Sequence, residues 1–294
     1  MKRKTEISEL VFRILSYTFL TVFALCCLYP FVYAVAASLS SKEALDYNKV
    51  VIVPIGLNFG SFAEIFNNNM FWSSYTNTLF LTFYGTVWSL GVSILGGYAL
   101  SKKRLLFRKG FNFFLVFTMW FSAGVYAQKK NYEATRVVFN SFGITDVKWL
   151  IVISMGMAAM NIILLRNAFE NVPSEIEEAA RVDGASEMQI LTKVYLPMCR
   201  STVATVALFF AISRWNGYFW SMMVLQHDDM EVSEPLQLFI RNKLREFNDN
   251  NRQADQSDAV IYSLVVCAII PILVIYPFIQ KYFAQGVNMG GVKE

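Results

Sequence analysis

The stretch Ile14-Leu-Ser-Tyr-Thr-Phe-Leu-Thr-Val-Phe-Ala-Leu-Cys-Cys-Leu-Tyr-Pro-Phe-Val-Tyr-Ala-Val-Ala-Ala37 contains no charged residue. As an α-helix it would extend about 36 Å, enough to cross a hydrocarbon core about 30 Å thick. Basic Met1-Lys-Arg-Lys4 precedes it, and Ala34-Val-Ala36 resembles a signal cleavage site. A signal core is only about 7–15 residues long, however, so the run reads as an uncleaved first span. Working outward, five more apolar runs follow at Tyr75–Leu100, Phe111–Ala127, Trp149–Leu165, Thr202–Gln226 and Ala259–Ile279. The predicted fold class is all-α: a polytopic membrane protein with about six transmembrane helices. A cytoplasmic N-terminus (1–13), a membrane domain (14–280) and a cytoplasmic tail (281–294) complete the expected organisation.

Composition agrees. Of 294 residues, 55% are hydrophobic and only 16% charged, whereas a soluble domain carries about 25% charged residues. A net charge of +4 is too small to suggest nucleic acid. Cys26, Cys27, Cys199 and Cys267 form no C-x-x-C and read as small buried hydrophobes rather than disulfides or zinc ligands. His227, the only histidine, has no metal partner nearby in sequence and reads as interfacial.

Lys and Arg mark the cytoplasmic side of a membrane protein. With the N-terminus inside, 15 of them fall in inside segments and 10 in outside ones, and Lys102–Lys109 is the densest cluster. Both termini and the segment Arg166–Ser201 are then cytoplasmic. The outer segment 228–258 is long and acidic, and within it Pro235-Leu-Gln-Leu-Phe-Ile240 reads as a short amphipathic helix at the outer interface.

The inner segment Val172-Pro-Ser-Glu-Ile-Glu-Glu-Ala-Ala-Arg-Val-Asp-Gly-Ala-Ser-Glu-Met-Gln189 has strong local signals. Ser174 with Glu177, and Ser186 with Gln189, are spaced as capping boxes. Gly184 suits the left-handed position that closes a helix, and Pro197 ends the segment. The expectation is helix, glycine turn, helix, with coupling-loop bounds 172–197. Glu175, Glu177 and Glu178 make the first helix acidic, and Ile176, Ala179, Ala180 and Val182 give it a small apolar surface. The residues alone leave two readings open: a plug for a groove on another protein, or an amphipathic helix lying on the membrane.

Glu178-Ala-Ala180, Gly184 four residues later and Val194-Tyr-Leu-Pro197 resemble the EAA–G–I-LP signature of bacterial ABC-importer permeases, with Val194 in the place of Ile. In that family the loop is the coupling helix seated in a cleft of the ATP-binding subunit. The resemblance implies coupling roles for Glu175, Glu177, Glu178, Ala179, Ala180, Asp183, Gly184, Ala185, Leu196 and Pro197. Glu178 would face a basic residue, and Gly184 would permit the turn. It also implies the type I importer transmembrane fold and a set of partners. These are a second homologous permease (a heterodimer), two copies of a cytoplasmic ABC ATPase, an extracellular or periplasmic solute-binding protein and the lipid bilayer. ATP and Mg would bind to the partner ATPase, with no cofactor in this chain.

Trp215-Asn216, Pro235-Leu-Gln237, Tyr276-Pro-Phe-Ile-Gln-Lys-Tyr-Phe283 and Gly291-Val-Lys293 are similar to the carbohydrate-uptake, MalG-like branch. Within it they resemble the type labelled LplC or YtcP, so an oligosaccharide cargo is implied. One departure stands out. Where the family carries a Gly-Gly-x-Ile-Pro turn, this chain has Ser122-Ala-Gly-Val-Tyr-Ala-Gln-Lys-Lys130.

Arg214 lies midway along an apolar run, where an ionisable side chain must face a cavity or a partner. Trp215, Tyr218, Phe219 and Trp220 could stack on sugar rings, and Asn216 could hydrogen-bond them. Alternatively Arg214 pairs with backbone carbonyls and the aromatics only pack. The tail Gln285–Glu294 either reaches between ATPase subunits, by resemblance, or frays. No G-x-x-x-x-G-K-[ST] is present, so this chain has no Walker A loop and is not expected to be an enzyme. A permease for a non-sugar solute and an ion-coupled secondary transporter are the competing readings. A membrane enzyme would need a constellation of catalytic residues that the sequence lacks.

Overall fold

A computed structural model describes residues 2–121, 124–225, 233–249 and 258–286, with side chains outside the description at 2–7, 125, 220, 223, 247–249 and 278–286. His227, the acidic residues Asp228, Asp229, Glu231 and Asp255, the end of the fifth run at Gln226 and the tail beyond Gly286 lie outside the described residues. Helices account for the regular structure, and the described residues contain no strand. The chain divides into two compact units, Met1–Asn69 with Ile240–Pro271 and Met70–Phe239 with Ile272–Glu294.

In the first unit, α1 (Lys2–Ser38) is one continuous helix with Pro30 inside it. Leu15, Phe19, Phe23 and Leu25 are exposed along its length, as suits a surface made for lipid. Cys26 and Cys27 are exposed there too, so they are not the buried hydrophobes expected, whereas Cys199 and Cys267 are. The C-terminal carbonyls of α1 are covered by side chains: Ser38 Oγ donates to Val35 O at 2.8 Å and Ser40 Oγ to Ala36 O at 2.7 Å. Beyond it, α2 (Lys42–Asp46) is capped by Ser41, and α3 (Gly60–Phe66) follows. Ala36, Ala37, Leu45, Val50 and Ala259 form the core of this unit.

In the second unit, α4 (Asn69–Ser101) is the central helix. Its buried residues Ser74, Thr78, Leu81, Gly85, Ser89, Ser93 and Gly97 repeat every three or four positions, a small-residue seam of the kind that lets helices approach closely in membranes. At Gly97 an added Cβ would lie 2.9 Å from Leu165 Cβ and 3.1 Å from Arg166 N. No other residue type fits that crossing.

The remaining helices correct several predicted spans. The third run, 111–127, is not one helix: α5 (Arg108–Trp120) ends at Phe121, and α6 (Gly124–Asn140) starts afresh. The fourth is broken into α7 (Val147–Ser154) and α8 (Ala159–Glu170), bent by 54°. After α9 (Ser174–Val182) and α10 (Glu187–Ile190), a π-helical turn Leu191–Tyr195 and α11 (Leu196–Met198) lead to an 88° bend into α12 (Arg200–Trp215). The fifth run breaks at Asn216–Gly217 before α13 (Tyr218–Val224). Finally come α14 (Leu236–Asp249) and α15 (Asp258–Gly286). Among the described residues three helices are long and apolar enough to cross a bilayer, or up to five if each bent pair is one span.

The segment 235–240 opens a helix, as expected, and its apolar side chains are turned inward. Leu236, Leu238 and Phe239 are buried, Leu236 N donates to Thr78 Oγ1 at 2.7 Å, and Asn77 Nδ2 donates to Glu234 O at 3.2 Å. The polar side chains of α4 draw this segment into the core.

Candidate functional site

The loop between α8 and α12 is built by its own sequence signals, with one exception. At the end of α9, Gly184 adopts φ +80°. Ala185 N bonds Ala180 O and Gly184 N bonds Arg181 O, both at 3.0 Å, which is the Schellman closure. The Ser186–Gln189 capping box forms as expected. The Ser174–Glu177 box does not, because Ser174 is already helical, Pro173 is the cap residue and no side chain caps it. Glu177 is used elsewhere. Pro197 has no N–H to give to the carbonyl four residues back, and the turn before it widens to π-helix over Leu191–Tyr195.

The residues expected to couple fall on two sides. Glu175, Glu178, Ala179, Asp183, Gly184 and Pro197 are exposed, as is Val182 at 88%. Ala180, Ala185 and Leu196 pack instead against a core of Leu165, Phe169, Val172, Ile190, Leu191 and Tyr195. The outward face is therefore acidic and small-sided, with an apolar tip at Val182, and an apolar foundation holds it from behind.

Glu177 points to that inner side, toward the end of α4. Lys102 Nζ lies 2.7 Å from Glu177 Oε2, with side chains only 10% and 14% exposed. Lys102 also donates to Tyr195 Oη at 2.9 Å, and Tyr195 Oη donates to Glu177. The ammonium sits 4.1 Å from the ring centroids of both Tyr98 and Tyr195. Those rings meet edge to face, at 5.1 Å and 86°. Around this caged cation, Tyr98 Oη donates to Glu187 at 2.9 Å, Arg104 pairs with Glu187, and Arg181 bridges Glu177 and Glu187. Arg108 pairs with Glu170. Sequence reasoning took Lys102, Arg104 and Arg108 for topology signals alone, but all three hold loop or helix carboxylates. Removing one partner of a pair as buried as Lys102–Glu177 costs roughly 3 kcal/mol.

Burial alone would raise the pKa of Glu177. The hydrogen bonds from Lys102 and Tyr195, with the charges of Lys102 and Arg181, outweigh it and hold the carboxyl below its usual range. Burial lowers the Lys102 pKa against the pull of Glu177. A depressed carboxyl pKa stabilises the fold above the unfolded value, and that contribution is lost as pH falls through the depressed one. Amide protection over 174–190, taken relative to the intrinsic exchange rate at each pH, is therefore expected to be high at neutral pH and to fall once pH drops below the ordinary Glu range. Glu177→Gln is expected to remove its share of that pH step and leave the share of Glu187, whose carboxyl the Arg104 hydrogen bond also holds low. A step unchanged in the variant would refute the assignment to this carboxyl.

A second site surrounds the break between α7 and α8. At the end of α7 the helical ladder runs out; Gly156 N reaches Ile153 O at 3.2 Å, and inside a membrane the remaining carbonyl capacity calls for side-chain donors. Trp88 Nε1 donates to Ile153 O at 3.3 Å and Asn131 Nδ2 to Ser154 O at 2.8 Å. Arg214 donates to Met155 O and, at 2.8 Å, to Ser89 Oγ. A cation at a helix C-terminus also meets the negative end of the macrodipole. Two glycines admit these groups: a Cβ on Gly156 would lie 2.5 Å from Trp88 Nε1, and one on Gly85 3.2 Å from Arg214 Nε.

Beside the break is a cavity of about 450 Å³ lined by Gln128, Asn131, Asn161, Phe210, Ser213 and Arg214, among others. Of the predicted substrate-path residues whose side chains are described, only Arg214 lines it. Trp215 is buried edge-on against Tyr75 at 6.0 Å, and Asn216 closes α12. Tyr218 and Phe219 are exposed on α13, and the side chain of Trp220 lies outside the described residues. Because α12 stops at Asn216–Gly217, the face of Arg214 does not continue into α13, which carries Tyr218 and Phe219.

Comparison with known proteins gives a consistent result. The family model described as "Binding-protein-dependent transport system inner membrane component" matches residues 3–289. The polygalacturonan/rhamnogalacturonan transport system permease protein YtcP of Bacillus subtilis is 33% identical over 293 residues, covering 96% of this chain and 98% of the relative. Protein LplC of the same organism is 30% identical, covering 90% and 88%. A chain from the crystal structure of a bacterial ABC transporter that imports the acidic polysaccharide alginate superposes with a TM-score of 0.81 at 39% identity, covering 94% and 98%.

Proposed function

Because the chain belongs to the inner membrane components of binding-protein-dependent transport systems, we propose that it is one of two permease subunits of an ABC importer for an oligosaccharide. The observation that carries this reading is the loop 172–197: an exposed acidic face on a buried base, built by the EAA–G–LP residues. Glu175, Glu178, Ala179, Val182 and Asp183 offer the partner ATPase a small-sided, acidic surface that a basic cleft would bind. Ala180, Ala185, Leu196 and Glu177 anchor that surface to the spans. ATP and Mg are held by the ATPase, since this sequence has no Walker A loop. The loop and both termini are cytoplasmic. A second permease completes the path, and a solute-binding protein delivers cargo from the other side. The cargo is an acidic oligosaccharide, as two relatives named for polygalacturonan and alginate support.

Gentle solubilisation is expected to recover this chain with a second permease and an ATPase. In proteoliposomes, that complex with its binding protein should take up a uronate oligosaccharide on ATP addition and leave a neutral one of equal length outside. Uptake driven by an ion gradient without ATP would overturn the importer reading. Equal uptake of the neutral sugar would overturn the acidic-cargo reading alone.

A further inference from the structure

We infer that Lys102 is the positioning residue that carries movement of the ATPase-docking helix α9 into the central span α4. The inference rests on the importer reading above and adds a route for the force. Glu177 and Glu178 are neighbours on α9 and point to opposite tasks: Glu178 is exposed, whereas Glu177 is turned inward onto Lys102. A displacement applied to the outer face is thus delivered through Glu177 to the first residue beyond the end of α4.

The receiving geometry is specific. Lys102 is fixed from three sides by the Glu177 carboxylate, the Tyr195 hydroxyl and two aromatic faces, one of them Tyr98 on the last turn of α4. Apolar contacts under the loop are non-directional and can slide at little cost. A buried ion pair cannot separate without leaving a charge unpaired, at a cost far above thermal energy. Movement of α9 therefore pulls on α4. That helix is a single 33-residue rod whose small-residue seam contacts α8 at Gly97 and whose Ser89 meets Arg214 beside the cavity. The Arg104–Glu187 pair is half-exposed, so it is screened and weaker and contributes little to the transmission.

The test uses the whole importer in proteoliposomes, with ATP hydrolysis and sugar uptake measured on the same sample. Lys102→Met keeps the stem between the rings and removes the charge. It is expected to leave assembly intact and hydrolysis within about twofold of wild type while uptake falls about tenfold or more, the size of a lost coupling between sites. Lys102→Arg keeps charge and ring contacts and should restore most of the uptake. If Lys102→Met does not assemble, Glu177→Gln is measured in its place and should show the same split. Normal uptake by the variant, or a parallel loss of hydrolysis and uptake, would overturn the inference. Absence of ATP-driven uptake in the wild-type complex would instead overturn the importer reading on which it rests.

Discussion

Glu178→Lys is expected to abolish uptake and to release the ATPase from the purified permease complex, while the permease itself still accumulates in the membrane. Glu178 is exposed on α9, so its replacement disturbs nothing inside the subunit. Its neighbours on the outward face are Ala179 and Val182, whose small or apolar side chains allow close approach. A carboxylate docked against a basic cleft contributes to binding, and reversing its sign turns attraction into repulsion. Truncating one partner of a desolvated charge pair costs about 2–5 kcal/mol, and reversal costs more. The ATPase affinity should therefore drop by about a hundredfold or more. Gly184→Val acts differently. The glycine holds φ +80° in open space, so the variant meets no clash and incurs only left-handed strain, roughly 1–2 kcal/mol for an ordinary residue and more for a β-branched one. It should loosen the turn and reduce uptake severely, and Gly184→Asn should be far milder. ATPase co-purification with uptake assays checks both. Full uptake by Glu178→Lys would remove α9 as the docking surface.

The loop was legible because its determinants are local. Gly184 and Ser186 with Gln189 each dictate a backbone feature within a few residues and are found where expected, whereas helix runs through Pro197 to Met198 and the expected stop becomes a π-helical turn before the proline. Ser174 with Glu177 has the same spacing as Ser186 with Gln189 and fails, since Lys102 offers Glu177 a stronger, charged partner 75 positions away in sequence. Nothing in the order of residues distinguishes a lysine that marks topology from one that also holds a loop carboxylate. The broken spans were hidden for a related reason. Hydropathy averages across Ser154–Ala158 and across Asn216–Gly217, so two helices and a break read as one apolar run. The Asn-Gly dipeptide was a usable breaker signal there, but the break at Met155 is set by tertiary donors, Trp88, Asn131 and Arg214, arriving from three other helices.

Arg214 is where those non-local terms decide between the two roles open to an arginine inside the apolar runs. As a cap on α7 it is part of the fold, and Arg214→Met should destabilise the subunit: the Met155 carbonyl and Ser89 hydroxyl lose a charged donor worth about 1.5–3 kcal/mol. For a chain of this size that corresponds to a fall of very roughly 5 °C in the melting temperature of the solubilised complex. Uptake of every accepted sugar should fall together. As a contact to the cargo, Arg214 would instead show unchanged melting and a rise in half-saturation confined to carboxylate-bearing sugars. Arg214→Lys separates charge from geometry. Both bonds leave one nitrogen, Nη2, and a lysine ammonium on its shorter stem reaches less far toward them, so for a capping role it should recover only part of the stability. For a cargo role it should retain most of the preference for acidic sugars. The direct bonds to Met155 O and Ser89 Oγ favour the first outcome. Unchanged melting in Arg214→Met would move Arg214 from the fold to the transport path.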